Sequence, residues 1–277
     1  MPRRLPVTTE NQWFQRAEVL KRNRQKRWHH RQFFVEGVRS INRLRVDRRW
    51  QVEALLYTPE RRLSGWARDV LAEIPAPLHL ELSAPLMDKL SDKEDASEVI
   101  ALVKMPDLDV SAIPRREDAL VLVLDRPGNL GNLGSILRSA DAFGAHGVVL
   151  TGHSVDVFDP AVIRASAGAF FSMPVASLPA TAALDAWLTR FEQEVPGLRI
   201  VGTSAKAPRE IGECALGGPV VLCFGNEATG LSQWLKGRCH ALAGIPMQGV
   251  ASSLNLACAV TVVLYETRRQ RQVPGDG

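Results

Sequence analysis

Apolar and polar positions in the first part of the chain follow the pattern of strands that alternate with helices. Short apolar runs predict strands at 32–36, 52–57, 78–82 and 99–105. Helical spacing of apolar residues follows each of the first three runs. The first of these predicted helices ends at Val46, and the other two cover 61–74 and 85–90. Strands alternating with helices predict a compact α/β domain over 32–105.

The pattern changes after a polar, proline-containing stretch at 106–118, which is predicted to be a linker. A wholly apolar run predicts a strand at 120–124, and largely apolar runs predict further strands at 147–150, 199–203, 220–224 and 241–245. Helical spacing predicts helices at 133–143, 184–194 and 253–268. Apolar runs without polar alternation are typical of parallel strands covered on both faces. A second α/β domain with a mostly parallel sheet is therefore predicted over 119–268, followed by a flexible tail at 269–277.

Positive charge is concentrated at the start of the chain. The first fifty residues contain 14 Lys and Arg against 4 Asp and Glu, whereas the whole chain has a net charge of only +4. Residues 1–31 are predicted to form a basic helical arm that contacts the phosphates of a polyanion. The expected contacts are Arg22, Arg24, Lys26, Arg27, Arg31 and Arg39. The candidates for stacking on unpaired bases are Trp13, Phe14, Trp28 and Phe33, of which Phe33 and one Trp are expected in a core.

Composition excludes a membrane span and offers no metal site. The hydrophobic fraction of 45% and the charged fraction of 23% are typical of a soluble globular protein. No run of 18 apolar residues is present, and the N-terminus lacks the apolar segment of a secretory signal, so a cytoplasmic location is expected. The four cysteines form no C-x-x-C pair and have no histidine at zinc-finger spacing. No metal is therefore expected.

Three loops rich in glycine and polar residues each follow a predicted strand of the second domain. They are 125–138 (DRPGNLGNLGSILR), 224–232 (FGNEATGLS) and 245–255 (IPMQGVASSLN). We expect them to meet, because ligands bind at the carboxyl ends of parallel strands. The first loop has the spacing G-x-x-G-x-x-G rather than the G-x-G-x-x-G of dinucleotide-binding proteins. Its amide and guanidinium groups suit a hydroxyl and a phosphate better than a pyrophosphate.

Three residues in these loops carry specific expectations. Gly225, directly after a strand, is expected to leave room for a flat ligand. Ser253 and Asn255 are expected in the first turn of the last helix, where helix capping is the alternative role. The small residues of this helix predict close packing against another part of the backbone.

In this order, the three loops resemble the motifs of the SpoU (TrmH) family of RNA ribose 2′-O-methyltransferases, within the SPOUT superfamily. The resemblance covers Leu120–Glu266, and 164–168 with Pro174 is similar to a further family segment. More weakly, 33–37 and 86–105 look like the RNA-binding domain that precedes the catalytic domain in many members. The resemblance implies a parallel sheet with a C-terminal trefoil knot, a homodimer with its active site at the subunit interface, and RNA as the partner.

The resemblance also implies the cofactor and the site. S-adenosylmethionine is expected at Thr203, Phe224, Gly225, Asn226, Ile245, Met247 and Leu254. The expected catalytic set is Asn132, Arg138, Glu227, Ser253 and Asn255, with Asn132 preferred to Asn129 because it lies six residues before Arg138. Guanidinium is essentially never deprotonated in proteins, so Arg138 is expected to bind a phosphate and stabilise an alkoxide rather than act as a base. The alternatives are a catalytically inactive RNA-binding scaffold and a nucleotide-dependent oxidoreductase.

Overall fold

The computed structural model describes residues 2–91 and 97–272. Contacts divide the chain into two compact units, each with its own sheet. The first unit contains the residues up to Asp107 together with Asp156–Ser172, and the second contains Leu108–Val155 and the residues from Met173 onward. A segment in the middle of the predicted second domain therefore packs with the first unit. No described helix is long and apolar enough to cross a bilayer.

The first unit is an α/β layer built on a five-stranded sheet. Its strands are β1 (Arg3–Val7), β2 (Gln32–Glu36), β3 (Val52–Tyr57), β4 (Leu78–Leu82) and β5 (Val99–Lys104). Its helices up to Asp107 are α1 (Gln12–Arg22), α2 (Arg24–His30), α3 (Val38–Val46), α4 (Gly65–Glu73) and α5 (Ala84–Leu90). The strand order is β1-β4-β3-β5-β2, with β1, β4 and β3 parallel and β5 antiparallel to both of its neighbours.

The prediction of one basic helical arm over 1–31 is wrong. β1 pairs with β4, where its Pro6 is tolerated because it lies in an edge strand. Asn11 caps α1 by accepting hydrogen bonds from the amides of Trp13 and Phe14, and Asn23 separates α1 from α2. The apolar face of α1 packs on the sheet, with Phe14 and Leu20 at most 1% exposed. The start of the chain is thus part of the core of the first unit.

Arg27 was expected to contact RNA, and this expectation is also wrong. Its side chain is buried, Nε donates to Asp156 Oδ2 at 2.7 Å, and Nη2 donates to Asp159 Oδ2 at 2.8 Å. Nη1 donates to the carbonyls of Leu20 and Lys21. A buried guanidinium with four of its five N–H donors engaged inside the protein is not available to a phosphate.

The segment Asp156–Ser172 contributes aromatic residues to the first unit as well as these two carboxylates. It contains α7 (Pro160–Ala165). The ring centroids of Phe33 and Phe158 are 5.2 Å apart, and those of Trp50 and Phe170 are 5.3 Å apart. Trp50 Nε1 donates to the carbonyl of Phe171 at 3.0 Å. This aromatic cluster confirms Phe33 as a core residue.

The second unit is built on a seven-stranded sheet whose strand pairs are all parallel. Its strands are β6 (Leu120–Asp125), β7 (Gly147–Thr151), β8 (Val175–Leu178), β9 (Arg199–Thr203), β10 (Arg209–Glu210), β11 (Val220–Phe224) and β12 (Ala241–Gly244). Its helices are α6 (Leu130–Ala142), α8 (Thr181–Glu194), α9 (Gln233–Arg238) and α10 (Leu256–Gln272). The strand order is β10-β12-β9-β11-β6-β7-β8. The predicted parallel sheet is confirmed, although β8 and β10 were not predicted.

Two segment boundaries differ from the predictions. The stretch 106–118 is irregular apart from a short 3₁₀ turn at Val110–Ala112, but Ile113 is only 3% exposed and packs into the core of the second unit. A β-carbon on Gly147 would come within 2.9 Å of the Ile113 side chain, so this stretch packs tightly against the second unit. Residues 269–272 of the predicted tail continue α10, and 273–277 lie outside the described residues.

Candidate active site

A cleft with a volume of about 960 Å³ lies at the carboxyl ends of the strands in the second unit. All three polar loops contribute to its walls, through Gly128–Asn132, Gly225–Leu231 and Ile245–Leu256. The end of β9 adds Thr203 and the residues that follow it. This is the edge of a parallel sheet where ligands are expected to bind, and the volume is within the range of pockets for small molecules.

One chain of hydrogen bonds connects the three loops. Asn255 Nδ2 donates to Asn132 Oδ1 at 2.9 Å, and Asn132 Nδ2 donates to Glu227 Oε1, also at 2.9 Å. The second carboxylate oxygen, Glu227 Oε2, accepts from the backbone amide of Gly128 at 3.1 Å. The expected convergence of the loops is therefore present in the structure, with Asn132 at its centre.

Hydrogen bonds keep Glu227 ionised. Partial burial by itself raises the pKa of this carboxyl, but the donors from the Asn132 side chain and from backbone amides of the first loop outweigh it. The net pKa of Glu227 lies below its usual value. Glu227 therefore acts as a fixed carboxylate that orients donors, and it has no proton to give at neutral pH.

A second set of contacts locks the first loop to the second. Arg126 has a left-handed backbone, and its guanidinium donates to the Asp125 carboxylate and to the carbonyl of Gly230. The buried Asp125 also accepts from the amide of Ser232 at 2.7 Å. Asn226 Nδ2 donates back to the carbonyl of Arg126 at 2.8 Å. Neither Asp125 nor Arg126 was singled out from the sequence, although Asp125 ends the apolar strand β6 and Arg126 directly follows it.

Gly225 has a different role from the one that the sequence indicated. A β-carbon at this position would lie 2.0 Å from the amide nitrogen of Leu231 and 2.1 Å from the carbonyl carbon of Gly230. The loop returns over Gly225 because Asn226 and Gly230 pair through two backbone hydrogen bonds. The absence of a side chain at Gly225 thus makes room for the protein's own backbone rather than for a flat ligand.

The third loop leads into α10. The helix begins at Leu256, so Ser253 and Asn255 precede it instead of lying in its first turn. Asn255 Oδ1 accepts from the amides of Ala257 and Cys258, which is the geometry of an N-cap. The two functions proposed for Asn255 are therefore compatible, because one end of the amide caps the helix and the other donates to Asn132.

The structure places the remaining sequence-predicted site residues as follows. The cleft is lined by Thr203, Gly225, Asn226, Ile245, Met247, Ser253 and Leu254 in addition to the hydrogen-bonded residues. Phe224 is 1% exposed inside β11 and is not among the residues that line the cleft. Arg138 is exposed on α6, also outside the lining, and the described part of the chain holds no ion-pair partner for it.

Two lysines at the cleft were not predicted. Lys206, in the segment after β9, and Lys236, on α9, both line it. The sequence offered no signal for them, because single lysines in polar segments are usually solvated. Within 2–91 and 97–272, no group of three or more His, Cys, Asp or Glu side chains is arranged to hold a metal ion.

The cleft suits S-adenosylmethionine by the chemistry of its walls. Ile245, Met247 and Leu254 line it with apolar surface, and the irregular backbone of 245–255 adds amide and carbonyl groups, the combination that binds a flat heterocycle. Glu227 offers a carboxylate at the same cleft for a group that carries positive charge.

Comparison with known families and proteins gives matches over nearly the whole chain. The model of the SpoU rRNA Methylase family matches residues 119–265, and that of the SpoU L30e-like domain matches 11–101. A protein from Streptomyces viridochromogenes named 23S rRNA (uridine(2479)-2′-O)-methyltransferase is 40% identical over 96% of this chain and 92% of its own length. The 23S rRNA (guanosine-2′-O-)-methyltransferase RlmB of Coxiella burnetii is 33% identical over 70% of this chain and 77% of its own length.

Solved structures agree with the sequence matches. The SpoU methyltransferase AviRb from Streptomyces viridochromogenes, in complex with AdoMet, superimposes with a TM-score of 0.89 at 40% identity, covering 95% of this chain and 99% of that chain. An AdoMet-bound rRNA methyltransferase from Sinorhizobium meliloti superimposes with a TM-score of 0.83 at 29% identity, covering 96% and 98%.

These matches define the class of protein as S-adenosylmethionine-dependent RNA 2′-O-methyltransferases. Within this class, the chain belongs to the SpoU rRNA methylase family.

Proposed function

We propose that the chain transfers the methyl group of S-adenosylmethionine to a ribose 2′-hydroxyl of 23S ribosomal RNA. The choice of ribosomal RNA rests on the relatives, since the two quoted above are both named for 23S rRNA. The observation that carries the proposal is the hydrogen-bonded row Asn255–Asn132–Glu227, which joins three loops at the mouth of a cleft suited to the cofactor.

The chemistry requires alignment more than proton transfer within the protein. S-adenosylmethionine supplies a methyl group on a positively charged sulfur, which is a good leaving group. The ribose hydroxyl gives its proton to solvent water as its oxygen bonds the methyl carbon and the thioether leaves. The protein must hold that oxygen in line with the methyl group, and such alignment lowers a barrier by up to roughly 7–11 kcal/mol. Thr203, Ile245, Met247 and Leu254 are the residues proposed to hold the cofactor, together with Gly225 and Asn226, which shape the loop beside it.

Asn132 and Ser253 are the groups proposed to position the ribose. Asn132 is fixed by Glu227 and Asn255, so its amide does not need to be ordered when the substrate binds. Ser253 lines the cleft and is exposed, which leaves its hydroxyl accessible to a ligand. We keep Phe224 only as a support for the loop, because it is buried below the cleft.

Arg138 is proposed to bind the phosphate next to the reacting ribose and to stabilise the developing alkoxide. Its exposure supports contact with a large substrate. The proposed action is electrostatic attraction from its guanidinium to the phosphate and to the developing negative charge.

We further propose a homodimer and the trefoil knot that the resemblance implies. Support for the dimer comes from α10, where Cys258, Val262 and Tyr265 form an exposed stripe at helical spacing, with Phe143 in edge contact with Tyr265. Close packing of α10 on α6, through a hydrogen bond of 2.7 Å between Ser139 and Thr261, is compatible with the knot. Action on ribosomal RNA is compatible with the expected cytoplasmic location.

The test is methyl transfer from labelled S-adenosylmethionine to 23S and 16S transcripts and to total tRNA, followed by mapping of the modified ribose. We expect label in 23S RNA only, at a 2′-oxygen, and no label when that hydroxyl is replaced by hydrogen. Binding of the cofactor without any transfer would favour the inactive scaffold. Transfer to tRNA alone would overturn the choice of RNA and leave the reaction class intact.

A further inference from the structure

We propose that Trp28, in the first unit, is a stacking platform for an unpaired base of the RNA substrate. The inference rests on the proposed function for the nature of the ligand. It adds a binding site outside the catalytic cleft.

The structure selects Trp28 from the four aromatic residues that were candidates for stacking. Phe14 and Phe33 are at most 1% exposed and belong to the core. Trp13 is half-buried and packs against the core formed around α1. Trp28 is 37% exposed, so part of its ring is accessible to a ligand.

The Trp28 ring is held in place by its neighbours rather than loose on the surface. It makes an edge contact with the buried Phe158, with ring centroids 5.9 Å apart. The Arg31 guanidinium lies 5.7 Å from the ring centroid, and Arg31 is itself paired with Asp107. A ring that is already ordered loses little side-chain entropy when a base stacks on it.

A cation lies against the ring, and further basic residues lie on the same helix. Arg24, Trp28 and Arg31 are four and three residues apart, so they lie along one face of α2 and its C-terminal end. Exposed Lys26 is on the same short helix. On the opposite side, Arg27 binds Asp156 and Asp159, and these contacts fix the helix to the unit. An exposed aromatic ring on a basic helix matches a nucleotide, which offers a flat base and a phosphate.

Stacking on one aromatic side chain requires a base that is not paired in a helix. The proposed ligand is therefore a single-stranded stretch or loop of RNA, and duplex RNA is expected to use only the cations. This difference separates stacking from simple charge attraction.

The experiment compares Trp28→Ala with the full-length wild-type protein on two probes, a 12-nucleotide oligouridylate and a 12-base-pair RNA duplex. Affinity is measured by fluorescence anisotropy over a range of salt concentrations. Trp28→Ala should lower affinity for the oligouridylate by about 5- to 150-fold and leave affinity for the duplex unchanged, because base–aromatic stacking is worth 1–3 kcal/mol per base. Its salt dependence should stay at the wild-type value, since no phosphate contact is removed.

Three further variants serve as controls. Trp28→Phe should retain affinity for the oligouridylate, because phenylalanine also stacks. Val46→Ala removes another exposed apolar side chain of the first unit and should change nothing. Lys26→Ala should reduce the salt slope on the oligouridylate by about 0.7, as expected for one lost phosphate contact on a single strand.

Equal affinity of wild type and Trp28→Ala for the oligouridylate would overturn the inference, and so would equal losses on both probes. Thermal unfolding shows whether Trp28→Ala folds. If it does not, Trp28→Phe decides: a loss of affinity for the oligouridylate as large as that of Lys26→Ala would overturn the inference. Methyl transfer by the wild-type protein is measured separately. Failure of the proposed function therefore appears as no transfer to RNA, independently of the Trp28 result.

Discussion

At the scale of single residues, two adjacent cations in α2 differ in burial. Arg27 is buried against Asp156 and Asp159, whereas Lys26 is exposed. Counting charges in the sequence could not separate them, because the carboxylates that bind Arg27 lie about 130 residues further along the chain. Charge composition therefore predicted a basic segment correctly but could not tell its surface from its core.

Arg138 provides the clearest residue-scale test of the active site. We expect Arg138→Ala to lower the rate of methyl transfer by about 100-fold or more, because one preorganised donor at a developing oxyanion is worth 10²–10³ in rate. Cofactor affinity, measured by calorimetry, should stay within a few-fold of wild type, since Arg138 does not line the cleft.

Arg199→Ala is the matched control for that measurement. Arg199 is an exposed arginine at the amino end of β9, the end of the strand opposite the cleft. Near-normal turnover of Arg138→Ala, or equal losses in both variants, would refute a direct role for Arg138.

At the scale of elements, the strand-to-loop junction at Gly225 is the tightest point of the site. Gly225→Ala places a methyl group against the backbone of Gly230 and Leu231, and flexible side chains cannot relieve this clash. We expect the loop to open, with a loss of stability of about 1–3 kcal/mol from overpacking and at least a tenfold loss of cofactor affinity. Thermal unfolding and calorimetry measure the two effects.

Gly218→Ala is the control, because a β-carbon there meets nothing within 4 Å and its backbone is not in the left-handed region. A Gly225→Ala protein that binds the cofactor as the wild type does would show that the loop is not needed in its observed form.

The elements also show which parts of the fold the sequence could predict. Apolar runs such as 120–124 and 220–224 have one structural solution, a strand covered on both faces, and these predictions were correct. β1 was missed because its sequence, RRLPV, has too few apolar residues for a strand pattern and becomes a strand only by pairing with β4. β8 and β10, of four and two residues, are too short to show a period.

The site likewise has features that the sequence could predict and features that it could not. The loops that carry Asn132, Glu227 and Asn255 follow predicted strands, so their meeting could be expected from the sequence. The contact of Arg126 with Gly230 depends on the loop conformation, which residue types alone do not determine. The reason for a glycine at 225 could not be predicted either, because the backbone that occupies the place of its side chain belongs to Gly230, five positions later.

At the scale of the whole molecule, the first unit is built from two stretches that are far apart in the sequence. Asp156–Ser172 leaves the second unit after β7 and returns to it before β8, and in between it supplies Phe158, Phe170 and two carboxylates to the first unit. A domain boundary predicted from composition assumes that each unit is one stretch of chain. Here the assumption fails, because the contacts that complete the first unit come from a distant insertion.

The proposed dimer is the whole-molecule feature that mutation can test. Tyr265 is 60% exposed on α10, and the exposed apolar side chain of Val262 lies one turn before it. Arg268 and Arg269 follow one turn further along the helix. If two copies meet through this face, Tyr265→Arg replaces an apolar contact by a positive charge on both copies, close to Arg268, and like charges oppose association.

We therefore expect wild-type protein to sediment at twice the 30.4 kDa of one chain, and Tyr265→Arg to sediment at that single mass with unchanged circular dichroism. Methyl transfer should fall along with the dimer, because the resemblance implies an active site at the subunit interface. Val46→Arg makes the same kind of change at an exposed apolar residue of the first unit and should leave the mass at the wild-type value. Wild-type protein that is fully active at the mass of one chain would contradict the dimer, and the exposed stripe on α10 would then need another partner.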